Sequence, residues 1–359
     1  MKIVVDINHP AHVHYFKNFI WEMEKKGHKV LITATRKDIT YELLNNYGFD
    51  FIDIGSYGNS LIKKLINIPI IDLKMYFAVK SFNPDIFIGF GSIRAAHVSY
   101  LLRKKCIIFE DTEHSMEQIR LYLPFADAVC TPACFKKDLG RKQVRYNGYT
   151  ELAHLHPNYF TPNPAVLDEI GLSKKDKFII LRFVSWKASH DVGQHGITNK
   201  KVLVKELEKY GRVLITSEAG LDDELEKYRI RISPEKMHDL LYYATLYIGE
   251  GATMATESAI LGTPSIYVSS LVGTMGNFVE LEQKYNLMFN YKENYQAVEK
   301  AFEIIQNPEL KRIWKEKKEK LVKEKIDVTA FMTWFAENYP KSFNEIKENP
   351  EAQNSFRLN

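Results

Sequence analysis

The stretch from Leu246 to Val268, LYIGEGATMATESAILGTPSIYV, constrains this chain most. It reads as apolar strand, small-residue loop, helix, Gly-Thr-Pro stop and second strand. Leu246 to Ile248 forms a buried strand end, and Gly262 with Pro264 closes the helix before Ser265 to Val268. Gly249, Gly251 and Ala252 leave the backbone uncovered. Thr253 or Thr256 falls near the helix start, and Glu257 on its first turns. Unbonded N–H groups at a helix start favour an anion, and small residues admit a phosphate to them. A carboxylate one turn further on reaches a sugar hydroxyl. The layout suits a nucleotide diphosphate, although an ordinary strand–loop–helix carries the same punctuation.

The rest of the chain repeats this alternation twice. Strands are expected over 2–7, 28–34, 51–54, 86–89, 106–109 and 128–131, with helices over 13–26, 38–47 and 70–81 between them. The texture changes near Asn147 to Pro164, where HPNYFTPNP carries no regular period, and the interdomain linker is placed there. Strands over 177–183 and 213–217, and helices over 198–210, 233–244, 277–285 and 295–305, continue beyond it. The pattern predicts an α/β protein of two doubly wound, Rossmann-like domains with a cleft between them. Their expected extents are 1–155 and 165–325. Residues 326–359 form a last helix, crossing back to the first domain or packing on its own, and a polar, frayed tail from Lys341. The 359 residues are comfortable for two cores.

Composition is that of a globular protein, and a net charge of +4 is too small to argue for nucleic acid. Three cysteines without a framework point to a reducing compartment and small core residues. The chain opens on a strand rather than a signal peptide, and no apolar run approaches the roughly 18 residues that span a bilayer. A cytoplasmic location is expected, peripheral to the inner face of a membrane if at all. Basic residues concentrate in the first half, and Tyr57 to Phe77 mixes Leu61, Ile62, Leu65, Ile66, Ile68 and Ile70 with Lys63 and Lys64. Such a surface can rest on anionic lipid, and equally be a core helix.

Four further loops carry candidate chemistry. After the first strand stand His9, His12 and His14. Their spacing does not match zinc ligands on a helix, so no metal is expected. His12 is the candidate base, because an imidazole titrates near neutral pH. Gly91 and Ser92 form a small-residue loop after the strand at 86–89, on the acceptor side with His9. Glu110-Asp111-Thr112-Glu113-His114 ends another strand. Crowded carboxylates raise one another's pKa, which suits acid–base work, and Glu113 and His114 are placed on the acceptor side. The long loop from Arg182 to Gly196 offers Arg182, Ser185 and His190 to a diphosphate and Trp186 to a base or sugar.

The small-residue loop with Gly251, Ala252 and Thr253, the helix carrying Glu257, and Leu261-Gly262-Thr263-Pro264 resemble the donor site of GT-B glycosyltransferases and non-hydrolysing UDP-N-acetylglucosamine 2-epimerases. The epimerases usually have Ser-Gly-Gly where this chain has Gly251-Ala252-Thr253. The resemblance implies a ribose-binding role for Glu257. His12 matches a histidine facing the reaction centre in those folds, and Glu110 a catalytic glutamate of the epimerases. Together with Asn8-His9-Pro10-Ala11-His12 and the 182–196 loop, these motifs are similar to the DUF354 family over nearly the whole chain.

The expectation is a GT-B glycosyltransferase taking a nucleotide-diphosphate sugar, UDP-linked, as substrate rather than cofactor. Its acceptor would be lipid-linked or a polysaccharide. The alternatives are a UDP-sugar 2-epimerase, using Glu110 and Glu117, and a non-catalytic nucleotide-sugar-binding protein.

Overall fold

The computed structural model describes every residue except 57, 59, 60, 185–196, 198, 219 and 359, and the side chains of 61–65 also lie outside the description. The chain forms two units, Met1–Tyr159 with Lys325–Asn359, and Phe160–Glu324.

In the first unit seven parallel strands run in the order β3-β2-β1-β4-β5-β6-β7. They are β1 (Lys2–Ile7), β2 (Lys29–Thr35), β3 (Phe51–Gly55), β4 (Ile86–Phe90), β5 (Lys105–Phe109), β6 (Ala128–Pro132) and β7 (Gln143–Tyr146). Val4 pairs with Leu31 on one side and Phe87 on the other. The central strands are buried on both faces, which explains their continuous apolar runs. The chain winds outward from β1 to β3, then returns to the other side at β4.

The second unit has five parallel strands in the order β12-β11-β10-β8-β9. They are β8 (Phe178–Phe183), β9 (Arg212–Ser217), β10 (Leu246–Gly249), β11 (Ser265–Val268) and β12 (Met288–Tyr291). Here the direction of winding reverses between β8 and β10. In open α/β sheets ligands sit beyond the carboxyl ends of the strands at such a reversal. Topology therefore marks two places, the ends of β1 and β4 in one unit and of β8 and β10 in the other.

Several expectations change. The helix expected over 70–81 begins earlier and runs Leu61–Val79, with Pro69 inside it. Ile71, Met75 and Val79 pack it into the core. The four-residue strands β7 and β12 carried no alternation long enough to read. Residues 147–156, expected in the linker, are part of the first unit. Tyr149 and Leu152 are fully buried there, and Asn18 donates to the Ala153 carbonyl at 2.8 Å.

The expected frayed tail is ordered instead. Helices Val328–Glu337 and Lys341–Glu348 are followed by a 3-10 turn, Pro350–Phe356. Gln353 accepts from the Asn147 amide at 2.6 Å, and Thr329 donates to the Ala153 carbonyl at 2.7 Å. Val328 fills the space beside Gly148, where a Cβ would come within 2.5 Å of it. These residues are polar in composition, but Thr329, Lys347 and Gln353 bond to backbone groups between residues 143 and 153 of the first unit.

Candidate functional site

In the second unit, β8 and β10 lie side by side, pairing Arg182 with Gly249. A Cβ on Gly249 would collide with the Tyr247 hydroxyl and come within 2.7 Å of the Arg182 Cβ. Only glycine lets the two strand ends approach so closely. Gly251 is the N-cap of helix Ala252–Leu261 and supplies no side-chain cap. The first amides of that helix have no intrahelical acceptor, and Gly251, Ala252 and Thr253 are half-buried. The Gly251 carbonyl accepts from the Tyr247 hydroxyl at 3.2 Å and from the Ala255 amide at 3.1 Å. The result is a small, electropositive backbone surface at the winding reversal.

Glu257 stands one turn further along, 5% exposed. Its Oε1 lies 2.9 Å from Nε2 of His238, on helix Met237–Tyr243. Arg182 donates to the Thr216 hydroxyl at 2.9 Å and to Glu218 at 2.7 Å, so its guanidinium is held along the edge of β9. Ser185, Trp186 and His190 lie outside the described residues.

In the first unit the ends of β1 and β4 carry charge rather than open backbone. Asp6 and Arg94 are completely buried and paired at 2.7 Å. Asp6 also accepts from Thr33 at 2.7 Å and Ser92 at 2.5 Å. Arg94 reaches the Thr35 hydroxyl and the Ile7 carbonyl. Ser92, expected on the acceptor side, is instead buried as the N-cap of helix Ile93–Leu101, accepting from the Ala95 amide.

His9 is the N-cap of helix Pro10–Lys25. His12 follows on its first turn, 8% exposed, with its ring 4.9 Å from Phe90 and 5.6 Å from His9. Its Nδ1 is buried without a hydrogen-bond partner among the described residues. Burial, then the neighbouring His9, Lys37 and Arg94, holds the ring well below its ordinary pKa of 6.5. His12 is therefore neutral at pH 7, the form that accepts a proton.

Glu110 lies beyond β5, 2% exposed. Its Oε1 accepts from the amides of Asp111 (3.1 Å) and Thr112 (2.9 Å), and its Oε2 from the Tyr122 hydroxyl (3.0 Å). Burial first, then the charge of Asp111, pushes its carboxyl up to about 8. Burial likewise raises Asp111 to about 6. Gly91 has a φ of +50° and leaves room where a Cβ would come within 3.1 Å of Glu110 Oε2. Glu113 is buried and accepts from the Lys136 amide at 3.1 Å, whereas His114 is half-buried. The structure thus brings His9 and His12 together at one strand end and groups Gly91 with Glu110 at another. Sequence reasoning missed His238 and Glu250, whose partners are remote along the chain.

The chain belongs to the DUF354 family of proteins of unknown function, whose model matches residues 1–333. An uncharacterized protein of Methanocaldococcus jannaschii is 28% identical over 298 residues, 79% of this chain and 86% of the relative. A UDP-N-acetylglucosamine–N-acetylmuramyl-(pentapeptide) pyrophosphoryl-undecaprenol N-acetylglucosamine transferase of Desulfotalea psychrophila is 30% identical over 129 residues, 32% of this chain and 35% of that protein. Among solved structures, the UDP-GlcNAc 2-epimerase of Neisseria meningitidis bound to UDP-GlcNAc matches with a TM-score of 0.64 and 15% identity, over 88% of this chain and 94% of that one. The SsfS6 glycosyltransferase of Streptomyces sp. SF2575 matches at 0.58 and 14%, over 92% and 99%. The fold is that of GT-B glycosyltransferases and these epimerases, two Rossmann-like units each built on a parallel sheet.

Proposed function

We propose that this protein is a glycosyltransferase that uses a nucleotide-diphosphate sugar, UDP-linked, as donor. The observation that carries the reading is the uncapped amino end of helix Ala252–Leu261, set at the winding reversal of the second sheet with buried Glu257 one turn beyond. The amides face the diphosphate and Glu257 takes the ribose hydroxyls, with His238 orienting its carboxylate. No metal is required, because backbone dipoles and Arg182 neutralise the phosphates.

The acceptor binds the first unit. His12, buried and neutral, takes the proton of the attacking hydroxyl as the new C–O bond forms at the sugar's anomeric carbon. The bond to the diphosphate oxygen breaks, and the nucleotide leaves as UDP. Glu110 supports this end of the sheet, since both of its oxygens already accept hydrogen bonds.

The acceptor we infer is lipid-linked, presented at an anionic bilayer. Helix Leu61–Val79 supports this with an exposed stripe, Ile66, Ile70, Leu73 and Phe77. Lys74 and Lys80 lie exposed beside it, Lys80 Nζ sits 4.6 Å from the Phe77 ring, and Asp72, the helix's one carboxylate, is buried. No described helix is long and apolar enough to cross a membrane, so contact would be peripheral. Co-sedimentation should place the protein on phosphatidylglycerol vesicles and not on phosphatidylcholine ones, with Phe77→Glu releasing it.

The second reading is a UDP-sugar 2-epimerase, favoured by a Glu110 carboxyl pushed up to about 8, where it can exchange protons. Incubation with UDP-N-acetylglucosamine alone separates the two. Formation of the 2-epimer without an acceptor would defeat the transferase, and calorimetry showing no affinity for UDP, GDP, CMP or dTDP sugars would defeat both.

A further inference from the structure

Glu250 stands between the two glycines of the loop after β10 and is 4% exposed. Each of its carboxylate oxygens accepts one backbone N–H from a different part of the chain. Oε2 accepts from Val184 at 2.8 Å, and Oε1 from Ile197 at 2.6 Å. Its own amide donates to the Arg182 carbonyl at 3.0 Å. One side chain therefore ties Val184, just after β8, and Ile197, just before helix Lys200–Leu207, to the loop after β10.

We propose that Glu250 is a positioning residue for the nucleotide site: anchored by the Val184 and Ile197 amides, it fixes the loop Gly249–Gly251 at the amino end of helix Ala252–Leu261. This rests on the reading of that helix start as the diphosphate site. A carboxylate shared by two backbone amides so far apart in the chain holds that loop in place before any ligand arrives. The arrangement also answers an electrostatic difficulty. A bare carboxylate beside a diphosphate would oppose binding, but here two N–H donors engage its two oxygens.

The tether and simple electrostatics predict opposite signs for one substitution. Glu250→Gln removes a negative charge next to the site, so electrostatics alone predicts tighter binding. It also replaces an acceptor with an N–H donor facing a backbone N–H, so the tether predicts weaker binding. The experiment is calorimetric titration of the full chain with UDP-N-acetylglucosamine, alongside hydrogen exchange at the Val184 and Ile197 amides. Glu250→Gln is expected to bind about tenfold more weakly or worse, with faster exchange at both amides. Glu250→Asp keeps the charge but is one methylene short. It is expected to lose affinity too, and serves if the Gln variant does not fold.

Equal or tighter binding by Glu250→Gln, or unchanged exchange at both amides, overturns the proposal while the wild type still binds the nucleotide sugar. A wild type that binds none, with exchange accelerated in the variants, instead defeats the nucleotide reading and takes the positioning role with it.

Discussion

The two strand-end regions are built from opposite materials. In the first unit the ends of β1, β4 and β5 hold buried ionisable side chains, Asp6, Arg94, His12, Glu110 and Glu113. In the second, the ends of β8 and β10 meet across Gly249 and Gly251 and present backbone amides. One end is organised to tune protons, since burial moves His12 down and Glu110 up. The other presents the uncapped amides of a helix start, and its buried Glu250 and Glu257 are engaged by partners of their own. On the proposed function, a fold with the same winding logic in both units would divide acceptor-side proton handling from donor holding.

The comparison breaks most visibly at the Asp6–Arg94 pair. Arg94→Met leaves a fully buried carboxylate and should lower unfolding free energy by about 3–5 kcal/mol, read by urea denaturation. A loss under about 1 kcal/mol would show the pair does not organise that end. In the second unit, Gly249→Ala should cost about 1–3 kcal/mol, because its Cβ meets Arg182 and Tyr247. Nucleotide-sugar binding should vanish with it, and unaltered affinity in calorimetry would contradict a backbone-made site.

Glu110→Gln sharpens the contrast through pH. A carboxyl raised to about 8 in the folded state, against 4.5 ordinarily, stabilises fully below 4.5, and that contribution is lost as pH rises through about 8. The Gln variant, permanently neutral, should gain about 4 kcal/mol relative to wild type as pH rises from 5 to 9. A difference that stays flat across thermal melts in that range would mean the carboxyl is not raised. The smallest effect on stability is expected for His12→Gln, within about 1 kcal/mol. Transfer activity should nevertheless fall by about a hundredfold or more, with nucleotide-sugar affinity retained. Retained turnover would remove His12 from the chemistry.

What could be read beforehand follows from range along the chain. The alternation of apolar strands and amphipathic helices is local, and so is the Gly-rich turn into the Glu257 helix. Both were legible. Edge strands Gln143–Tyr146 and Met288–Tyr291 are too short to show a period. Partnerships across long separations left no trace: Asp6 with Arg94, His238 with Glu257, Glu250 with Val184 and Ile197. The order of residues 325–358 was hidden for the same reason, because Thr329, Lys347 and Gln353 find partners between residues 143 and 153, far back along the chain. Ser92 misled because a helix cap and a ligand-binding serine occupy the same kind of loop.

The discontinuous first unit, closed by residues 325–359, has a consequence for biosynthesis. During translation the segment 160–324 emerges whole and is free to fold as soon as it clears the ribosome. The amino-terminal half must wait with its sheet half dressed until the final helices have been made. The usual vectorial order, first domain first, is reversed for completion here, and a nascent chain arrested near residue 324 would expose the surface around Tyr146 and Gly148 that Phe331 and Val328 otherwise cover.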